Sequence, residues 1–371
     1  MLSGKPLKRI VLKIGSNALS ASWGGLDGAV LDRLAYVVST WRRHDVETVL
    51  VTSGALTAGM HRLGIDKRPR DIAGRQAAAA VGQGLLIERY SYFFEKYGLV
   101  CAQILLSRAD LVDASHYDAA RKTFAKLLAL GVVPIVNEND TVAFEELCFG
   151  DNDRLSAQAA GLVSADLLVL LTDVDGLYTA NPRRDGTARL IPRVEDIEAV
   201  KAYADGAGTA AGTGGMRTKL QAAEIAARFG IGTFLLNGER TEELAALTAG
   251  HVPVGTYFTP AARSLKGKKR WIAYGALSLG SIAVDAGAAA ALRDGGKSLL
   301  ASGVTGVEGQ WERRDPVKIV GPGGEEVARG IAELSSAEVT AVRGCRSSEA
   351  SERVPGWRGE EIVHRDNMVI H

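Results

Sequence analysis

The chain has 371 residues, 46% hydrophobic and 23% charged, which excludes a largely disordered polymer and suits a globular protein of two or three domains. Its net charge of +1 provides no global field to draw in nucleic acid, and no apolar run approaches the ~20 residues that span a bilayer. The start reads as a strand rather than a signal peptide, and Cys101, Cys148 and Cys345 are too scattered for a disulfide framework or a zinc site, so a reducing, cytoplasmic setting is expected.

In chain order, RIVLKI (9–14) is the first strand-like run, and it ends in KIGSNA. Lys13 followed by Gly15, Ser16 and Asn17 suits an anion, because the turn offers backbone N–H groups and the lysine a point charge. A lysine at a strand end is also how a sheet meets water. A helix is predicted over 27–43, then the strand TVLVTS (48–53) running into TSGALTAG. Ser53 and Gly54 stand before a further helix, whose N-terminal N–H groups favour anions. The surroundings of Ser53 do not read G-x-S-x-G, so it is not taken as a hydrolase nucleophile.

Next come a helix over 71–97, the strand VCAQILL (100–106), a helix over 115–130 and the strand VVPIVN (132–137). The stretches VNENDT and GDND then supply Asn137, Glu138, Asn139, Asp140, Asp151, Asn152 and Asp153. Such a set can hold an ammonium group, orient lysines or take Mg²⁺ through water; it can equally form turns and cap the helix predicted at 152–163. The strand DLLVLLT (166–172) leads into TDVDGLY, a loop suited to a nucleotide base or ribose.

GTGGMRTK (212–219) then opens a helix over 215–229, before the strand GTFLLN (232–237). It matches neither the Walker pattern nor G-x-G-x-x-G, yet the physics is shared. Glycines let the backbone approach phosphate oxygens, threonines donate, and Lys219 enters a helix whose dipole favours anions.

Nearly continuous apolar strands alternating with helices predict an α/β three-layer sandwich around a mostly parallel sheet over 1–260. The polar turns follow strand ends, where open α/β sheets bind ligands. The segment PAARSLKGKKR carries five cations and begins an interdomain connection, 261–276. Short glycine-punctuated runs over 277–352 predict a small β-rich domain with a helix near 286–294, and 353–371 is a polar tail.

The pieces VLKIGSNAL, VTSGALTAG, VPIVNENDTV, GDNDRLSAQAA, LLTDVDGLYTANPR and GTGGMRTKLQAA, in this order, resemble the amino-acid kinase family. Within it they are similar to the branch that phosphorylates L-glutamate on its γ-carboxylate at the start of proline biosynthesis. Residues 277–352 resemble a PUA domain, a small β barrel. The resemblance implies ATP and Mg²⁺ as cofactors. It also implies that Lys13 and Lys219 contact the transferring phosphoryl group, with Asp153 orienting both. Ser53, Asn137, Asp140 and Asn152 would bind glutamate. Lys13, Thr172, Asp173 and the loop of Thr213, Gly214, Gly215, Met216, Arg217, Thr218 and Lys219 would hold ATP.

Proline as feedback inhibitor, a homo-oligomer (dimer or tetramer) and hand-over to glutamyl phosphate reductase are likewise implied by the resemblance. Asn181 stands where aspartate is expected and Asp175 where lysine is common, both on the nucleotide side. The alternatives are another carboxylate kinase of the same fold, or an RNA-binding PUA protein. Against the latter, residues 271–371 hold 11 Lys+Arg and 14 Asp+Glu, and RNA affinity rests largely on neutralising phosphates.

Overall fold

The computed structural model describes residues 6–20, 25–141, 152–204, 215–260, 272, 278–357 and 361–370. The chain divides into two compact units, each with its own sheet. Among the described residues no helix is long and apolar enough to cross a membrane.

Among the described residues, the first unit is built on eight strands: β1 (Arg9–Lys13), β2 (Glu47–Val51), β3 (Val100–Leu106), β4 (Val132–Glu138), β5 (Leu167–Thr172), β6 (Arg193–Val194), β7 (Gly232–Asn237) and β8 (Thr256–Phe258). Their order is β3-β4-β2-β1-β5-β7-β8-β6. The first six in that order are parallel; β8 runs antiparallel to β7, and β6 pairs with β8. The predicted strands all appear. β6 and β8 were not anticipated, because two or three residues carry no legible alternation.

The helices up to residue 260 are α1 (Ser16–Leu19), α2 (Gly28–Arg43), α3 (Ala55–Arg62), α4 (Ile72–Glu95), α5 (Arg108–Val112), α6 (Ala114–Ala129), α7 (Asn152–Leu162), α8 (Lys201–Ala204) and α9 (Met216–Arg228); Ala109–Ala119, most of α5 and the start of α6, groups with the second unit. Ile10, Leu12, Val169 and Leu171 face a core shared with Leu34, Val38 and Trp41 of α2 and Leu86, Tyr90 and Phe94 of α4. Alternation along a strand sends Val11, Leu168 and Leu170 to the other face, covered by α7, which packs on β1, β5 and α9. Helices on both faces explain why the central strands are apolar throughout. Trp41 is wholly buried, and its indole N–H donates to the Leu244 carbonyl at 2.8 Å.

Two local features set the start of α3. Gly54, its N-cap, has φ +100°, a left-handed conformation that costs any other L-residue roughly 1–2 kcal/mol. Helices α3 and α4 then cross at glycines. A Cβ on Gly59 would lie 1.7 Å from the Ala78 carbonyl oxygen, and one on Gly82 1.7 Å from that of Ala55. Backbone touches backbone there, a contact open only to glycine.

The second unit carries β9 (Gly280–Val284), β10 (Val304–Gly309), β11 (Pro316–Val320), β12 (Glu326–Ile331) and β13 (Met368–Ile370), ordered β10-β9-β11-β12-β13. Its core includes Ile282, Val317, Ile319, Val327 and Trp311, whose indole donates to the Leu334 carbonyl at 3.0 Å. The anticipated helix spans Ala286–Gly295, with Asp285 accepting from the Ala288 N–H at 2.7 Å. The segment 353–371, read as a tail, contributes the edge strand β13, whose three residues are too few to show a pattern. Most of the 261–276 connection lies outside the described residues.

Candidate active site at the carboxyl edge of the sheet

Because β4, β2, β1, β5 and β7 are adjacent and parallel, their carboxyl ends reach one edge together. Lys13 lies there in register with Val51 and Leu170, and Thr172 pairs with Asn237. The turns singled out in the sequence are thereby brought side by side, around a cavity of ≈ 770 Å³.

The two lysines meet on one carboxylate. Asp153 enters from the first turn of α7 and is wholly buried. Lys13 Nζ pairs with its Oδ1, and Lys219 Nζ with its Oδ2 at 3.1 Å. Lys219 sits one turn into α9, and the lysines are only 4% and 6% exposed. The Thr218 hydroxyl lies 3.0 Å from Asp153 Oδ2 and 2.7 Å from the Gly215 carbonyl. Burial alone would raise the Asp153 pKa; the charges of Lys13 and Lys219 more than offset this and hold it at about 2. The carboxylate therefore stays ionised and fixes two ammonium groups at the cavity wall.

A second set of groups lines the same cavity from β2, β4 and α7. Asn152 Nδ2 donates to the Thr52 carbonyl at 2.6 Å, to Ser53 Oγ at 2.9 Å and to Asn137 Oδ1 at 2.9 Å. Asp140 follows β4. Burial raises its pKa to about 6, opposed by the nearby Arg68 guanidinium on the loop between α3 and α4. Asp140 and Arg68 both face the cavity.

A smaller crevice of ≈ 70 Å³ adjoins β5 and is lined by Gly215 and Met216 of the glycine-rich segment, with Tyr178 and Tyr203. Thr172, Asp173, Arg183 and Lys219 border both spaces. Arg183 donates to the Asp173 carboxylate at 3.0 Å and to its carbonyl at 3.3 Å. Both departures from the expected motif are absorbed into this wall. Asn181 accepts from the Arg183 backbone N–H at 3.0 Å, and Asp175 accepts from Asn237 Nδ2 at 3.2 Å and from the Tyr178 hydroxyl at 3.4 Å.

Of the predicted residues, Lys13, Ser53, Asn137, Asp140, Asn152, Thr172, Asp173 and Lys219 line the cavity, and Asp153 lies beneath it. Arg217 is exposed and lines neither space, while Thr213 and Gly214 lie outside the described residues. The sequence reading gave no role to Arg68, in an arginine-rich turn without a motif, or to Arg183, which closes the quoted TDVDGLYTANPR. It also missed Gln83 and Gln103, which stand behind Asn137. A single glutamine in the alanine–glycine run of α4 was the available signal for Gln83.

Comparison with known proteins agrees with this geometry. The amino acid kinase family profile matches residues 8–237, and the PUA domain profile matches residues 280–353. Over 364 residues the chain is 58% identical to a glutamate 5-kinase of Desulfitobacterium hafniense (strain Y51), covering 98% of each chain. Over 365 residues it is 47% identical to a glutamate 5-kinase of Moorella thermoacetica (strain ATCC 39073 / JCM 9320), covering 98% of this chain and 96% of that one. Among solved structures, isopentenyl phosphate kinase aligns over 68% of this chain and 100% of its own, with a TM-score of 0.50 at 20% identity, a likeness of fold alone.

Proposed function

The chain belongs to the amino acid kinase family, and on that premise we propose that it transfers the γ-phosphoryl group of ATP to the γ-carboxylate of L-glutamate, giving γ-glutamyl phosphate. One observation supports this reading above others: Lys13 and Lys219 share the Asp153 carboxylate where the large cavity meets the small crevice. The acceptor occupies the cavity, ATP enters by the crevice, and the migrating PO₃ unit passes the two ammonium groups.

A carboxylate acceptor is ionised at neutral pH, with a pKa near ~4.3, so its attack on phosphorus requires no general base. Among the described residues, no histidine lines either space. What remains is to bring two anions together and to stabilise charge spread over the transferring oxygens. Lys13 and Lys219 do this from nearly buried positions in the cavity wall, where a fixed charge acts more strongly. Thr172 and Asp173 offer oxygen donors where the two spaces meet, of the kind Mg²⁺ takes when carried on ATP phosphates. Bound there, Mg²⁺ neutralises part of the phosphate charge.

Asp140 and Arg68, of opposite charge on one wall, suit the ammonium and carboxylate of an α-amino acid. The ammonium requires an ionised Asp140. Its pKa near 6 in the free protein makes kcat/KM for glutamate fall as pH drops through about 6. Asp140→Asn lowers kcat/KM at pH 8 and abolishes that acid limb. A variant keeping the wild-type profile assigns the limb to another group.

The assay that tests the reading supplies ATP, Mg²⁺ and hydroxylamine and scans acidic amino acids for acyl hydroxamate. Glutamate yields product, whereas aspartate and N-acetylglutamate do not. Product from either of these instead identifies a different carboxylate kinase. An acyl phosphate hydrolyses readily, which favours prompt hand-over to glutamyl phosphate reductase. That hand-over, inhibition by proline and a dimeric or tetrameric assembly are supported by family resemblance alone. The same reading divides the chain into a catalytic domain (1–260), a connection and a PUA-like domain.

A further inference from the structure

Helix α4 carries the run AAAAVGQG, in which Gln83 is the single polar residue. It is 7% exposed and does not line the cavity. A buried amide must satisfy both its ends, and the partners of Gln83 lead step by step to the acceptor site.

Each amide along this path is keyed by a backbone group, which removes the ambiguity of which end is nitrogen. Gln83 Nε2 donates to the Glu138 carbonyl at 3.2 Å, so its Oε1 faces the other way. There it accepts from Asn137 Nδ2 at 3.3 Å and from Gln103 Nε2 at 3.3 Å. Asn137 Oδ1 accepts from the Glu138 N–H at 2.9 Å and from Asn152 Nδ2 at 2.9 Å. The Asn152 amide also faces the Thr52 carbonyl, and at 2.9 Å it donates to Ser53 Oγ. With an oxygen lone pair so engaged, the Ser53 hydroxyl keeps its proton for a carboxylate oxygen in the cavity it lines.

We propose that Gln83 is a positioning residue for acceptor recognition: through Asn137 it holds the Asn152 amide and thereby aims the Ser53 O–H at the substrate. The proposal rests on the carboxylate-kinase reading and extends it to a residue that touches neither substrate. Without Gln83, Asn137 Nδ2 is a buried donor lacking its partner. Its amide then turns towards the cavity, where water or substrate can take it, and its hold on Asn152 is lost. The nucleotide side, built from β5 and α9, is untouched.

The test is steady-state kinetics of Gln83→Met, which keeps the volume and removes the amide. The KM for the acceptor rises about tenfold, while kcat stays within threefold and the KM for ATP within twofold, the split expected when ground-state binding is lost. A purely structural role is separated by a double-mutant cycle. If Gln83 acts through Ser53, then Ser53→Ala combined with Gln83→Met is within twofold of Ser53→Ala alone. Multiplying effects, an unchanged acceptor KM, or an equal rise in the KM for ATP each overturns the proposal. Should the methionine variant not fold, Gln83→Asn, an amide one carbon short of Asn137, reads the same split. The measurements use whichever acid the wild-type protein turns over. Inactivity towards glutamate therefore refutes the substrate assignment, while the Gln83 comparison still decides the positioning role on the acid that is accepted.

Discussion

Lys219→Met lowers kcat at least about a hundredfold, roughly 2.7 kcal/mol of transition-state stabilisation, and leaves the fold intact. The charge stands 3.1 Å from Asp153 and borders both the large cavity and the small crevice. Its stabilisation grows as charge spreads over the migrating phosphoryl oxygens, so kcat suffers more than either KM. Methionine is of similar length and apolar, and Asp153 retains Lys13, so thermal unfolding shifts by only a few degrees. Initial rates with saturating ATP and glutamate, alongside a melting curve, decide the matter. A loss of less than fivefold removes Lys219 from the chemistry.

Asp153→Asn is the more damaging change. It leaves two ammonium groups, 4% and 6% exposed, against a neutral amide and against each other. Removing the carboxylate that both lysines share costs about 3–5 kcal/mol, because both remaining charges stay desolvated and unpaired. Activity falls at least as far as in Lys219→Met, since both lysines lose their anchor. The stability loss has a pH signature whose sign follows from linkage. The Asp153 pKa is depressed in the folded protein, to about 2, below the ~3.9 of an unfolded aspartate. Its contribution is complete above about pH 4 and disappears as pH falls towards 2. Denaturant titrations of wild type and variant therefore differ by a constant amount from pH 5 to 8 and converge in acid. Equal stability at pH 7 contradicts this pairing.

Much of this architecture is legible in the residues, for reasons that also mark where legibility stops. RIVLKI and DLLVLLT read as strands because a parallel sheet covered on both faces needs apolar residues at every position. The turns after β1, β2, β4 and β5 read as a site because a parallel sheet delivers its strand ends to one edge. Lys219 stood out by the glycines before it. Gln83 and Arg68 did not, because each acts on a residue far along the chain, Gln83 on Asn137 and Arg68 on Asp140; Arg183, which meets Asp173 ten residues before it, did not because it sits in an ordinary polar turn. Their own neighbourhoods look like a small-residue helix and two polar turns. Periodicity reports which face a residue presents within one element and carries no information about its partner on another. The glycine crossing of α3 and α4 was hidden for the same reason, since a glycine within a helix is uninformative until its neighbour is known.

The central strand β1 is flanked by β2, made shortly after it, and by β5, which begins at residue 167. Its terminal lysine then shares a carboxylate with residue 219. During synthesis on a ribosome, a chain that has emerged only as far as α7 would have to bury the negative charge of Asp153 with a single counter-ion. Such long-range closure slows folding, because distant segments must be gathered before their contact repays the lost freedom. The Lys13–Asp153–Lys219 cluster can therefore close only once residue 219 has been made.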